Sequence, residues 1–147
     1  MPAFKIAAAQ VASVRGDIDV NVATHMAAIA TGAEHHVSVL MLPELSLTGY
    51  EPELAAELAI TENDQRLLPL MALARQHRMV VAIGAPLRTA SAKPALGAIV
   101  MTADGTTKTY RKMHLGGTER IFFDAGELPL ALTVAGQTVG IAICADS

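Results

Sequence analysis

The sequence predicts an α/β protein whose strands form a mixed sheet. Short apolar runs of strand length alternate with two stretches in which apolar residues recur at helical spacing, and the later runs are separated by turn residues. Strands that alternate with helices favour parallel pairing, whereas strands joined by a tight turn favour antiparallel pairing. We therefore expect one layered domain over residues 1–147.

The composition places the chain among globular proteins. Of its 147 residues 52% are hydrophobic, and the net charge is −3 with Lys and Arg scattered singly, which argues against a nucleic-acid partner. No uninterrupted apolar segment has the eighteen or so residues that a membrane span requires, so we expect no membrane association. One cysteine cannot form an internal disulfide, which fits a reducing compartment, and we expect a soluble cytoplasmic protein.

The first elements are two strands around a helix. Residues 4–11 form an apolar, alanine-rich run that predicts a strand buried on both faces. A helical stripe follows over residues 19–36, with Asp17 or Asp19 available as the N-cap. A second apolar run, residues 37–42, predicts the next strand.

A second helix is expected to start in residues 61–64 and to end near His77. Pro69 lies inside its apolar stripe and predicts either a kink or a later start. The five histidines offer no pair at metal-ligand spacing, so no metal site is expected.

The rest of the chain predicts strands and hairpins. Runs at residues 79–85 and 96–102 precede the turn Ala103-Asp104-Gly105 and a strand over residues 106–111. A second hairpin is expected around Ala135-Gly136, with strands at residues 130–134 and 137–143.

Three residues with catalytic chemistry follow predicted strands. Glu44 comes after Pro43, which ends the second strand, Lys112 follows residue 111, and Cys144 follows residue 143. Groups that meet ligands in such sheets lie beyond the carboxyl ends of strands. A thiol, a carboxylate and an ammonium together can supply a nucleophile, a base and a group that stabilises an oxyanion. Taken singly, each has a plainer interpretation: a small buried hydrophobe, a solvated loop acid and an exposed charge.

The segments around these residues resemble the three signature blocks of the nitrilase superfamily of carbon–nitrogen hydrolases. The blocks are Leu-Pro-Glu-Leu-Ser-Leu-Thr-Gly-Tyr at 42–50, Tyr-Arg-Lys-Met-His-Leu at 110–115 and Gly-Ile-Ala-Ile-Cys at 140–144, in the family's order. The resemblance extends to residues 8–10 and 119–126, and so covers essentially the whole chain.

The resemblance implies a Glu–Lys–Cys triad. Glu44 would be the general base, Lys112 the stabiliser of the tetrahedral intermediate and Cys144 the nucleophile, with Glu119 matching a second glutamate beside the triad. Supporting roles are expected for three other residues: the Ala145 backbone amide as a second oxyanion donor, Tyr50 at the pocket mouth, and His114 in the loop that positions the lysine. No cofactor is needed.

The family fold is a four-layer α-β-β-α sandwich, of which this chain would cover roughly the first half. Its members continue for a hundred or more residues past the cysteine, so we expect residues 1–147 to be the amino-terminal part of a longer homodimer or higher oligomer. The implied reaction is hydrolysis of a non-peptide carbon–nitrogen bond in an amide or carbamoyl compound, less readily a nitrile, through a thioester-type intermediate. The alternative is a catalytically inactive scaffold or interaction fragment.

Overall fold

The computed structural model describes residues 3–147. Met1 and Pro2, the first two residues of the predicted domain, lie outside the described residues. Along residues 3–147 the strands are β1 (Ile6–Ala8), β2 (Val39–Met41), β3 (Val80–Leu87), β4 (Ala95–Met101), β5 (Thr107–Arg111), β6 (Leu130–Val134) and β7 (Gln137–Ile141). The α-helices of the same range are α1 (Ile18–Glu34), α2 (Ala55–Leu58), α3 (Leu68–Gln76) and α4 (Glu119–Phe122).

The strands form a mixed five-stranded sheet and a separate two-stranded sheet in this range. The larger sheet has the order β1-β2-β3-β4-β5, and the smaller one pairs β6 with β7. The first three strands are parallel, while β4 is antiparallel to both β3 and β5. The strands β2, β3 and β5 therefore run in the same direction, which confirms the predicted mixed sheet. The β4–β5 and β6–β7 pairs are both antiparallel, which confirms the two predicted hairpins.

Helix α1 begins where its cap was predicted. The side chain of Asp17 accepts a hydrogen bond from Val20 N at 3.1 Å, which satisfies one of the free amides of the first turn. The buried residues Ile18, Val22 and Ile29 then line the face that packs on the sheet.

Helix α3 begins later than residues 61–64, where the sequence predicted its start. A 3-10 turn, Gln65–Leu67, comes first and is capped by the Asp64 side chain, which accepts from Arg66 N. Pro69 then lies in the first turn of α3, where the missing N–H of proline has no intrahelical partner to lose. Pro69 therefore marks a late start and not a kink.

The two faces of the larger sheet carry different layers. Residues of α1 and α3 share one apolar cluster with the side chains on one face of β3 and β4. The hairpin β6–β7 packs on the opposite face through Leu132 and Ile141, in a cluster that also contains Tyr110. The layers follow in the order α-β-β, as in the first three layers of the predicted sandwich.

The prediction that the first strand is buried on both sides is wrong for the described structure. Strand β1 pairs only with β2, and Ile6 is 58% exposed. Apolar composition indicates that a strand tends to be buried, but it does not specify which neighbouring element would cover it. Ala7 and Ala9 are partly buried, because they pack against the helix-side cluster.

Some short elements and strand ends differ from the sequence prediction. The 3-10 turn Pro52–Leu54, α2 and α4 were not predicted, since segments of three or four residues have no periodicity to detect. Strand β7 ends at Ile141, three residues before Cys144. Along residues 3–147, every helix is too short or too polar to cross a bilayer.

Candidate active site

Glu44 lies on a loop that crosses over β3. The strand β2 ends at Met41, and Leu45 has a positive φ of 53°, which turns the chain sharply after the carboxylate. The backbone of this loop rests directly on Gly84, where a Cβ would lie 2.3 Å from the Pro43 carbonyl oxygen and 2.4 Å from Leu45 N. Only glycine allows this approach, so Gly84 sets where Glu44 stands.

Lys112 is held by backbone pairing on both sides. Its amide donates to Leu96 O at 2.8 Å, and its carbonyl accepts from Gly126 N at 2.8 Å. The side chain is only 1% exposed, although the residue directly follows β5. A buried ammonium requires ionic or hydrogen-bond partners, because desolvation of an unpaired charge costs several kcal/mol, on the order of tens in a dry interior.

Two carboxylates supply those partners. Lys112 Nζ donates to Glu44 Oε1 at 2.7 Å and to Glu119 Oε1 at 2.9 Å. Glu119, at the start of α4, also accepts from Gly116 N through Oε2 at 2.7 Å and from the Tyr50 hydroxyl through Oε1 at 2.8 Å. The cluster of Glu44, Lys112 and Glu119 thus carries two negative charges around one positive charge.

Burial and pairing act on the cluster in opposite directions. Burial favours the neutral amine, but hydrogen bonds with Glu44 and Glu119 outweigh it and raise the pKa of Lys112 above its ordinary value. Burial likewise opposes ionisation of Glu119, yet the hydrogen bonds from Lys112, Gly116 and Tyr50 lower the pKa of that carboxyl. Both groups are therefore charged at neutral pH.

Cys144 begins a 3-10 turn, Cys144–Asp146, after β7. It has a positive φ of 48°, which is uncommon for a residue with a side chain, and the residue is exposed. Its carbonyl accepts from both the amide and the hydroxyl of Ser147. A residue with a side chain in this region carries backbone strain, and such strain clusters at functional turns.

Asp146 joins this turn to the segment that follows Lys112. Its buried carboxylate accepts five hydrogen bonds, from the amides of Met113, His114 and Ile143, from the His114 ring and from the Tyr110 hydroxyl. Burial opposes ionisation, but the bonds from Tyr110 and His114 lower the pKa of Asp146 to about 2.

The predicted supporting residues occupy three different environments. Tyr50 is 51% exposed and contacts the ion cluster through its hydroxyl. His114 is 66% exposed, and its Nδ1 lies 3.0 Å from Asp146 Oδ1. Ala145 is exposed in the turn that carries Cys144.

Glu44, Lys112 and Glu119 lie together, as the sequence and its family resemblance predicted, whereas the roles of Gly84 and Asp146 were not predicted. Gly84 sits in an apolar strand pattern, where an isolated glycine signals a close backbone approach. Asp146, like Glu44, comes shortly after an apolar strand. That position was the signal from which a role for Asp146 could have been predicted.

Comparison with known proteins identifies relatives along nearly the whole chain. The carbon–nitrogen hydrolase family model matches residues 5–147. An (R)-stereoselective amidase from a Pseudomonas species is 29% identical over 97% of this chain and 52% of its own length. The glutamine-dependent NAD(+) synthetase of Thermotoga maritima is 27% identical over 99% of this chain and 26% of its own length. The chain thus spans at most about half the length of these relatives.

Solved structures share the fold at lower identity. XC1258 from Xanthomonas campestris, a CN-hydrolase superfamily protein, has a TM-score of 0.87 at 22% identity over 99% of this chain and 55% of that chain. An amidase variant from Nesterenkonia sp. AN1, in complex with butyramide, has a TM-score of 0.84 at 23% identity over 97% of this chain and 56% of that chain. At these identities the likeness establishes the fold.

Proposed function

Because the chain belongs to the carbon–nitrogen hydrolase family, we propose that it carries the catalytic residues of a cysteine-dependent amide hydrolase. In this proposal Cys144 is the nucleophile, Glu44 the general base and Lys112 the stabiliser of the tetrahedral intermediate. Hydrolysis of a non-peptide amide or carbamoyl bond is favoured over that of a nitrile. The observation that carries the proposal is the buried Lys112 ammonium held between Glu44 and Glu119.

The charges of this cluster suit a base that takes a proton from a thiol. When Glu44 accepts the Cys144 proton, one negative charge disappears from the carboxylate and one appears on sulfur, so the net charge of the site is unchanged. Glu119 remains ionised and keeps Lys112 in place while Glu44 is neutral. In this proposal Glu119 holds Lys112 in place, and Glu44 is free to accept and return protons.

The first half of the reaction forms a thioester. The thiolate attacks the carbonyl carbon, and the oxygen gains negative charge that Lys112 Nζ and the Ala145 amide are proposed to stabilise. Collapse of the intermediate breaks the carbon–nitrogen bond, and the proton held by Glu44 leaves with the ammonia or amine.

The second half releases the acid. Glu44, again ionised, takes a proton from a water molecule that attacks the thioester carbonyl. The carbon–sulfur bond breaks, the carboxylic acid leaves, and the proton returns to Cys144. The cycle invokes no group beyond these side chains, the Ala145 amide and water.

Primary amides are the substrate class to test first. One relative is named for an (R)-stereoselective amidase activity and another is a glutamine-dependent synthetase, while one neighbour structure holds butyramide. We propose that this chain's protein acts on the same bond type. Butyramide, glutamine and an N-carbamoyl compound separate aliphatic amide, glutamine amide and carbamoyl preferences within one assay series.

Ammonia release by the full-length natural protein tests the proposal. The wild type should release ammonia from at least one amide, and mass spectrometry should detect an acyl group on Cys144 under rapid quench. Cys144→Ala should abolish both signals, and Glu44→Gln should lower the rate by about 10²–10⁴-fold. Glu127→Gln is the matched control, since Glu127 is an exposed carboxylate outside the cluster.

The alternative, a catalytically inactive scaffold, predicts the opposite results for ammonia release and for Cys144 reactivity. A scaffold would release no ammonia, and iodoacetamide would modify its Cys144 no faster than a model thiol at neutral pH. That result in a folded full-length protein would reject the hydrolase proposal.

We also propose that the protein is a homodimer or higher oligomer in the cytoplasm. The exposed side chains of Ile6, Ile121 and Leu128 offer apolar surface for association, and the free Cys144 thiol suits a reducing compartment. Light scattering coupled to size exclusion measures the mass in solution, and a monomer would contradict the oligomer proposal.

A further inference from the structure

Asp146 connects two segments that the proposed chemistry requires to stay together. Its side chain is 1% exposed, yet it takes part in neither of the two ion pairs that Lys112 forms with Glu44 and Glu119. Oδ1 accepts from Met113 N at 3.1 Å, from His114 N at 2.9 Å and contacts His114 Nδ1 at 3.0 Å. These atoms belong to the residues that directly follow Lys112.

The other oxygen faces the nucleophile side and the adjoining strand. Oδ2 accepts from Ile143 N at 3.2 Å and from the Tyr110 hydroxyl at 2.6 Å. Ile143 immediately precedes Cys144, and Tyr110 lies in β5, two residues before Lys112. One carboxylate therefore ties the Tyr110 side chain and the backbone after Lys112 to the residue before the thiol.

We propose that Asp146 is a positioning residue, whose carboxylate fixes the turn carrying Cys144 against the segment carrying Lys112. This inference rests on the proposed function, since it concerns the placement of the nucleophile relative to the lysine. The turn itself spans only three residues, and Cys144 has a positive φ, so this short segment needs an external anchor. Reacting groups must be held closely, because a displacement of about 1 Å can cost on the order of 10²-fold in rate.

Asparagine is the informative replacement for Asp146. Both carboxylate oxygens accept from backbone N–H groups, whereas an amide has one oxygen and one NH₂ group. In either orientation the NH₂ group must face a backbone donor, namely Ile143 N or the amides of Met113 and His114. The Asp146→Asn variant therefore loses one anchor while its side chain keeps the same size.

The experiment measures amide hydrolysis and Cys144 alkylation in the full-length protein. Asp146→Asn should lower kcat at least tenfold, change KM less than threefold, and slow iodoacetamide modification of Cys144 at least threefold. Leu70→Ala is the stability control, because Leu70 is fully buried in the helix-side cluster, away from the site. It should lower the unfolding temperature without changing kcat or the alkylation rate of the folded protein.

Each outcome decides the inference. Unchanged kcat and alkylation in Asp146→Asn, or equal losses in Leu70→Ala, would overturn it. If Asp146→Asn does not fold, Tyr110→Phe is the second variant, because it removes one hydrogen bond to the same carboxylate. A twofold or greater loss in both kcat and the alkylation rate supports the inference, and no change overturns it. If the wild type hydrolyses no amide, the function proposal fails, but slower alkylation in Asp146→Asn still supports the positioning role and an unchanged rate overturns it.

Discussion

Gly84 in β3 lies directly beneath the Pro43 peptide group, so that a Cβ at residue 84 would stand 2.3 Å from the Pro43 carbonyl oxygen. This contact allows the loop after β2 to cross β3 and bring Glu44 to Lys112. Lys112 follows β5, which lies three positions from β2 in the sheet. The placement of the proposed base, Glu44, therefore depends on the absence of a side chain at residue 84.

Gly84→Ala should displace Glu44 and lower activity. The new methyl group must push the backbone of the loop away, and we expect a loss in kcat on the order of 10-fold to 10²-fold with a loss of about 1–3 kcal/mol in stability. Ammonia release and urea unfolding measure the two effects. Gly140→Ala is the control, since a Cβ there meets no atom within 4 Å, and a full loss of kcat in that variant would argue against a local effect at Gly84.

Lys112→Met should leave two carboxylates facing each other without their shared cation. The pKa of Glu119 should rise, because its hydrogen bond from the ammonium is lost and Glu44 remains beside it. We expect the unfolding free energy to fall by about 3–5 kcal/mol and kcat by about 10²–10³-fold.

A second substitution separates charge repulsion from lost packing at Lys112. Adding Glu119→Gln to Lys112→Met removes one of the two like charges and should recover part of the stability but none of the activity. Denaturation of both variants at neutral pH provides the comparison. Equal stability of the single and double variants would mean that the carboxylates do not repel each other.

His25 should make the protein less stable in mild acid. The ring is fully buried, its two nitrogens have no hydrogen-bond partner among the described residues, and burial lowers its pKa from 6.5 to about 4. The unfolded chain binds a proton below pH 6.5 while the folded chain does not, so stability falls as the pH drops from 6.5 towards 4, by about 3 kcal/mol.

Urea unfolding between pH 7 and pH 4 tests this dependence. The difference in unfolding free energy between the wild type and His25→Leu should shift against the wild type as the pH falls, since other titrating groups are common to both. A difference that does not change with pH would exclude His25 as the source.

Both tyrosines should resist ionisation in the folded protein. Partial desolvation and the hydrogen bond to Glu119 raise the pKa of the half-exposed Tyr50 to about 12. Burial and the hydrogen bond to Asp146 raise the pKa of Tyr110 to about 12 as well. Because these pKa values are raised above that of the unfolded chain, stability is lost as the pH rises from 10 towards 12.

An ultraviolet titration reads these two residues alone, since the chain has two tyrosines and no tryptophan. We expect both phenols to titrate with a midpoint near pH 12 in the native protein and near pH 10 in urea. Tyr50→Phe and Tyr110→Phe assign the two steps. A native titration step of one tyrosine with its midpoint near pH 10 would show that one of the hydroxyls does not donate to its carboxylate in solution.

The order of elements and the gathering of Glu44 and Lys112 could be predicted from sequence, because strand periodicity and strand ends are local signals. Asp17 as a helix cap and the turn at Asp104 are of the same kind. The exposure of Ile6 could not be predicted, since it depends on which strand pairs with β1. Gly84 and Asp146 were missed because their roles arise from segments distant in sequence, the loop around Glu44 and the residues after Lys112.

The ion pair between Glu44 and Lys112 joins residues that are 68 positions apart. Glu44 is synthesised well before Lys112, and β3 and β4 lie between the two residues in the chain and between β2 and β5 in the sheet. Non-local pairing of this kind is slow, because the entropy of closing the chain is lost before the contact is gained. The ion pair therefore depends on a sheet that is paired from β2 to β5, and its formation reports that this pairing is complete.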